Sequence, residues 1–258
     1  MEILNPAPLD FWQAVADACP WATYFHTPSW ASVITKTFPE YSLASFGFMF
    51  KDGAQAVIPF VVEEKKRLFR IEKKYKSMEP GVYGGIIADR ELAQAEVDEI
   101  IQSVITMKHA GGRIVGNPFK TFSFPARLKK KEMVTQVVDL TSGFDMLWET
   151  FSRGQKSNIK QAQKKNVSVR LAATEKDIEH YVAIYSQTLK RWGKKAVSSY
   201  PGEFFTNLFA RRDPHIKFYL AEKEHKIIAG IIALAWQHTL IYWHGCSLED
   251  AFKDYPNN

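Results

Sequence analysis

Along the chain, apolar and polar positions alternate in short blocks that read as helices and strands in recurring order. Leu9 to Ala18 has Phe11, Val15 and Ala18 at helical spacing, with Trp12 beside them and Asp10 near the start. Pro20 closes this helix. Thr27-Pro28-Ser29-Trp30 opens a second helix, with Thr27 as cap and Pro28 in the first turn, that runs to Phe38. Tyr41 to Phe50 reads as a strand, Lys51-Asp52-Gly53 as a turn, and Ala54 to Val62 as the return strand. Glu63 to Lys76 is charged, with Leu68, Phe69 and Ile71 between, and reads as an edge strand or a loop. Pro80 to Ala88 enters a strand through Gly84-Gly85, a pair that allows close backbone approach. Glu91 to His109 is a long helix with Leu92, Val97, Ile100, Ile101, Val104 and Ile105 inward, stopped by Gly111-Gly112. Arg113 to Val115 and Met133 to Leu140 read as strands.

Thr141 then reads as the cap of a helix whose Phe144, Leu147, Trp148 and Phe151 share one side. Gly154 interrupts, and a basic helix follows, with Ser157 or Asn158 as its cap. Val167 to Leu171 alternates like a strand, and Thr174 to Trp192 and Pro201 to Ala210 are helical. Lys217 to Ala221, Lys226 to Trp236 and Leu240 to Cys246 are strands joined by short turns. The hairpin around Asp52-Gly53 is matched in style by Tyr219 to Ala229, each following helices. The fold class is therefore α+β, with two copies of one mixed, mostly antiparallel sheet flanked by helices. The expected domains are 1–138 and 139–258, divided where a strand hands over to a new helix.

Composition narrows the class. Of 258 residues, 46% are hydrophobic and 24% charged, as in a soluble globular protein. The net charge of +6 favours anionic partners without naming one. Cys19 and Cys246 form no CxxC pair, and the N-terminal MEILNPAPLDFWQ lacks the basic and apolar runs of a signal peptide. With no apolar run near the roughly 20 residues that span a bilayer, the expected location is cytoplasmic.

There is no P-loop, GxGxxG, HExxH or GxSxG, and the histidines show no metal-ligand spacing, so no metal site is expected. Three stretches carry candidate chemistry. Arg153 to Arg170 holds Arg153, Lys156, Lys160, Lys164, Lys165 and Arg170 without a carboxylate, and Lys156, Lys160 and Lys164 form one helical stripe. It has two readings, a cradle for a phosphate-bearing substrate or a solvated helix face. Leu189 to Lys195 ends a helix in cations, which favour a helix C-terminus anyway. Its functional reading has Arg191 and Tyr200 lining a substrate cleft. In Tyr242-Trp243-His244-Gly245-Cys246-Ser247, the side chains of Tyr242, His244 and Cys246 share one strand face, and His244 is either a general base or a packed histidine.

The succession of short motifs resembles the FemAB-type acyltransferases, which have tandem GNAT-like domains. The second domain is matched by Val138-Asp139-Leu140-Thr141, then by Phe151-Ser152-Arg153 with Lys156-Ser157-Asn158-Ile159-Lys160. Further matches are Arg191-Trp192-Gly193, Phe204-Phe205, Phe218 to Glu222, Ile228-Ala229-Gly230 and Tyr242 to Ser247. Pro28-Ser29-Trp30, Val57-Ile58-Pro59 and Tyr83-Gly84-Gly85 resemble the first domain. The resemblance implies transfer of an acyl or aminoacyl group to an amine in cell-envelope metabolism. The donor implied is acyl-CoA or aminoacyl-tRNA, used as substrate with no bound cofactor. The acceptor implied is a small molecule or a cell-wall precursor, with tRNA as a potential partner. Arg153, Lys156, Asn158 and Lys160 would hold the donor; Arg191, Tyr200, Tyr242 and His244 would line the cleft, His244 and Tyr242 at the chemistry. Bridge-forming members carry basic residues where this chain has Ala31-Ser32-Val33 and Tyr200, and the second domain is expected to be short at its C-terminal end. The alternatives are a non-catalytic RNA- or nucleotide-binding module and an inactive relative.

Overall fold

The computed structural model describes residues 1–257 except 69, 82, 108–110 and 197. The expected helix end at His109 lies outside the described residues. Contacts divide the chain into two compact units, Met1–Met133 with Ala235–Thr239, and Val134–Leu234 with Leu240–Asn258.

Unit 1 runs β1 (Glu2–Leu4), α1 (Leu9–Ala18), α2 (Pro28–Thr37), β2 (Tyr41–Leu43), β3 (Phe46–Met49), β4 (Gln55–Ile58), β5 (Val61–Arg67), β6 (Arg70–Lys76), β7 (Ile87–Ala88), α3 (Gln94–Met107) and β8 (Gly112–Arg113). One sheet, ordered β1-β3-β4-β7, is antiparallel; in the other, ordered β2-β5-β6-β8, β8 joins parallel to β6. The strands expected at Tyr41–Phe50 and Ala54–Val62 each break and change sheet midway. Pro59 has no N–H for a ladder. Next to it, the Ser45 hydroxyl accepts the Phe60 N–H (3.3 Å), and the Ala44 N–H donates to the Phe60 carbonyl (3.0 Å). The charged stretch Glu63 to Lys76 is neither edge strand nor loop: it forms most of the β5–β6 hairpin, and β5 also pairs with β2.

The first turn of α2 is capped by Thr27, whose hydroxyl accepts the Trp30 N–H. The core of unit 1 gathers Trp12 and Val15 of α1, Trp30 and Ile34 of α2, and Phe46, Phe48 and Ile58 of the strands. Burying side chains of this size contributes about 1.5–3 kcal/mol each. Beside them, His26 is fully buried. Its Nδ1 accepts the Thr23 N–H (3.0 Å), so Nε2 carries the proton and donates to the Gly84 carbonyl (2.9 Å). A side chain at position 84 would place its Cβ 1.8 Å from the Ser77 Oγ, which explains the glycine. Burial pushes His26 down from 6.5 to about 4, so it is neutral in the native protein.

Unit 2 runs α4 (Gly143–Thr150), α5 (Arg153–Lys164), β9 (Ser168–Leu171), α6 (Glu175–Trp192), α7 (Gly202–Ala210), β10 (Ile216–Lys223), β11 (Lys226–Trp236) and β12 (Thr239–Ser247). Its sheet has the order β12-β11-β10-β9, with β9 and β11 antiparallel to β10. The strand expected over Met133–Leu140 does not form. Among the described residues that segment pairs with no strand, and its apolar side chains are exposed, Val134 fully. Nor does Thr141 cap α4. Its N–H and hydroxyl both go to Asp139 Oδ1 (2.9 and 2.7 Å), and Phe144, Trp148 and Phe151 stack on one another instead of entering a core. α5 begins earlier than expected, at a reciprocal cap in which Ser152 Oγ accepts the Gln155 N–H and Gln155 Oε1 accepts the Ser152 N–H. Gly154 therefore lies inside the helix rather than breaking it.

α6 is capped by the Thr174–Asp177 pair. Asp177 also takes the Arg170 guanidinium at 2.7 Å and the Ala173 N–H at 2.8 Å, which hold its carboxyl well below the usual range. Arg170 reaches Glu222 as well, at 2.8 Å, and so ties β9, α6 and β10 together. One turn along α6, the Tyr181 ring occupies the space above Gly230 of β11. A Cβ there would lie 2.7 Å from Tyr181 Cδ2 and 3.1 Å from Leu220 Cδ2. Among the described residues no helix is long and apolar enough to cross a membrane.

Two outcomes follow from this packing. Gly230→Ala has no free volume to use, because the ring it would displace is fully buried, and it is expected to cost about 1–3 kcal/mol in denaturant unfolding. For His26 the unfolded chain binds the proton more tightly, with pKa 6.5 against about 4 in the fold. Stability is then full above pH 6.5 and falls as the pH drops toward 4, by about 3 kcal/mol for this group. Unfolding midpoints measured across pH 4–7 check this, and His26→Leu should flatten the slope.

Candidate active site

The candidate site residues belong to unit 2, and the structure sorts them into three groups. The first is a ring cluster under β12. His244 is half-buried, with Nδ1 hydrogen-bonded to the Tyr181 hydroxyl of α6. Around its imidazole lie Tyr185 (4.7 Å between centroids), Phe205 (4.9 Å), Trp243 (5.6 Å) and Tyr200 (5.9 Å). Tyr200 stacks on Phe204 and donates its backbone N–H to the Tyr185 hydroxyl at 3.0 Å. This apolar wall lowers His244 from 6.5 to about 4, since burial disfavours the imidazolium. Burial also raises the Tyr181 phenol well above its ordinary value, so that pair is uncharged at neutral pH. Of the three residues expected on one face of β12, Tyr242 is exposed, with its hydroxyl where a Cβ of Gly245 would be. Cys246 is buried against the Tyr181 carbonyl, and its thiol is pushed up to about 12 by burial. That thiol is a packing group, not a nucleophile.

The second group is the basic stretch, which tertiary contacts divide in two. Lys156 turns back to Glu149 (3.3 Å) and lies 5.8 Å over the Trp148 ring; Asn158, beside it in α5, is half-buried. Lys165 reaches Asp254 and covers the Tyr255 ring, and Arg170 is held by Asp177 and Glu222. Arg153, Lys160 and Lys164 are exposed, and have no ion pair or hydrogen-bond partner among the described residues. Two of them, Lys160 and Lys164, stand one helical turn apart, about 6 Å along the axis.

The third group is Arg191, which the structure holds at the end of β12. Its Nη1 donates to the Ser247 carbonyl (3.2 Å), which the Thr188 hydroxyl also meets (3.1 Å), and its guanidinium lies 4.8 Å over Phe252. It braces a strand end. The sequence pattern places Tyr181, Tyr185 and Phe205 on helices but carries no link from them to His244. The one available signal was Gly230, a glycine in the middle of a strand, which marks close approach by another group. Among the described residues no group of three or more His, Cys, Asp or Glu side chains is placed to hold a metal ion.

Comparison with known proteins fits this arrangement. Residues 151–258 match the family model described as an acetyltransferase (GNAT) domain. Among solved structures, that of FemX matches all of this chain and 83% of its own, with a TM-score of 0.71 and 12% identity. No curated protein sequence matches. Residues 151–258 are thus similar to an acetyltransferase (GNAT) domain, the chain has the α+β fold of FemX over its whole length, and the resemblance to FemAB-type proteins is borne out.

Proposed function

We propose that this protein is an N-acyltransferase that moves an acyl or aminoacyl group from an anionic carrier to an amine of a cell-envelope precursor. The carrier is acyl-CoA or aminoacyl-tRNA, and the reaction is placed in the cytoplasm. The observation that carries this reading is the set of unopposed cations Arg153, Lys160 and Lys164 on α5, in the same matched domain as the uncharged Tyr181–His244 cluster. A helix that keeps three exposed cations unopposed raises the local positive potential and suits a phosphate-bearing ligand.

In the proposed reaction, Arg153 and Lys160 hold carrier phosphates, with Lys156 and Asn158 on the same helix. The acceptor amine lies against Tyr200, Tyr242 and His244. Its nitrogen attacks the carrier's thioester or ester carbonyl, a C–N bond forms, and the bond to the carrier sulfur or oxygen breaks. The amine proton leaves with the carrier thiol or hydroxyl. His244 is neutral throughout the physiological range but a weak base, so its part is to accept a hydrogen bond and orient the amine, aided by the Tyr181 hydroxyl. Arg191 acts at a distance from the chemistry, by fixing the end of β12 through Ser247.

Transfer assays with labelled acyl-CoA and aminoacyl-tRNA test the reading. Arg153→Glu with Lys160→Glu should raise KM for the donor about 10–100-fold while changing kcat little, as loss of two charge-assisted contacts does. Tyr181→Phe and His244→Gln should lower kcat instead. Burial places His244 near 4, so the kcat profile should show no step from this group between pH 6 and 8. If the charge reversals abolish RNA binding but neither donor is ever consumed, the protein is a binding module and the reading fails.

A further inference from the structure

Unit 2 has a cavity that the chemistry above does not use. It lies where the end of β9, the end of α7 and the start of β10 meet, and its volume is about 200 Å³. Its apolar wall is formed by Leu171, Leu208, Phe209, Ile216 and Phe218. Leu208 and Phe218 are buried, and the Phe218 ring meets Phe209 edge-on, 5.8 Å between centroids. Leu171 is 46% exposed, so part of this wall remains wet. The charged members are Arg212, Asp213 and Lys217. Asp213 is engaged in its own loop, where Oδ1 accepts the His215 N–H at 2.9 Å. Arg212 and Lys217 have no ion pair and no side-chain hydrogen bond among the described residues. The Arg212 guanidinium lies 4.9 Å over the Phe209 ring, which braces it against the cavity wall.

The backbone at Arg212 adds a second sign. Arg212 follows the last turn of α7 with φ +52°, the left-handed position that suits glycine or asparagine. An arginine is unfavourable there for the backbone, and the fold draws no ion pair from it. We propose that this cavity binds a small monocarboxylate with an apolar body. The carboxylate meets Arg212 and Lys217, and the body lies against Leu171, Phe209 and Phe218. A planar guanidinium held on a ring presents paired donors that match a carboxylate. Two cations and one acid leave a single positive charge in the wall, which a monoanion balances; a phosphate dianion would also face Asp213. A volume of about 200 Å³ is below the roughly 300–1,000 Å³ of sites for drug-sized ligands, so the body is one ring or a short branched chain. The inference stands apart from the acyltransferase reading, because it concerns binding alone and uses none of the residues assigned to donor or acceptor.

Ligand-observed NMR titration of the full chain tests it. The probes are phenylacetate and isovalerate; the controls are phenethyl alcohol and inorganic phosphate. Both carboxylates should bind saturably. The alcohol keeps the ring without the charge, phosphate keeps charge without the body, and each should bind at least about tenfold more weakly. Arg212→Gly should weaken phenylacetate binding about tenfold without lowering the unfolding midpoint, because glycine suits the left-handed backbone. Lys217→Gln should weaken it about threefold or more, as loss of one partly exposed charge contact does. No saturable binding of either carboxylate, equal binding of the alcohol or of phosphate, or undiminished binding by both variants would overturn the proposal.

Discussion

Unit 2 depends on one steric fact, the absence of a side chain at Gly230. The Tyr181 ring lies on that bare stretch of β11, where a Cβ would come within 2.7 Å. This close seat brings α6 down onto the sheet and delivers the Tyr181 hydroxyl to His244 on β12. Tyr185, one turn further along α6, and Phe205 of α7 then close around the imidazole. Interiors are packed too densely to yield this space by rearrangement. A glycine in a strand, unfavourable for the strand itself, is therefore what lets a helix, a sheet and a candidate catalytic histidine share one cluster.

The electrostatics of the same unit follow from a second division of labour. Cations that look equivalent along the sequence become two classes once the chain folds. Lys156, Lys165 and Arg170 meet Glu149, Asp254, Asp177 and Glu222 and become structural. Arg153, Lys160 and Lys164 meet none among the described residues and keep their charge unopposed. Paired exposed ions contribute little to stability, but each pairing removes a cation from the field an anion would feel.

In unit 1 a fully buried histidine plays a purely structural part. His26 bridges Thr23 and the Gly84 carbonyl and so binds the loop after β6 to the start of α2. Its burial is tolerated because both ring nitrogens are satisfied. His244 is also desolvated, but its partner is a tyrosine side chain in a cluster that reaches the surface. The two histidines are depressed to similar values by the same cause, so a lowered pKa alone does not mark a site; the surroundings do.

Local grammar determined much of the architecture. The capping of α2 by Thr27, the α6 cap at Thr174, the Asp52-Gly53 turn and the run of β11 all rest on contacts within a few residues, and the sequence carries them complete. The same holds for the α+β class and for the motifs that pointed to a GNAT-type domain. Tertiary structure decided the rest, because the deciding partners are remote in sequence. Pro59 splits two strands only because Phe60 meets Ala44 and Ser45. Met133 to Leu140 has the alternation of a strand but no neighbour to pair with among the described residues, and a strand cannot exist without one. Arg191 was a cleft candidate until Ser247, 56 positions away, claimed it, and His244 drew its hydrogen-bond partner from 63 positions upstream. Periodicity and capping are short-range and readable from the sequence; which cation is paired and which ring faces which is set by packing alone.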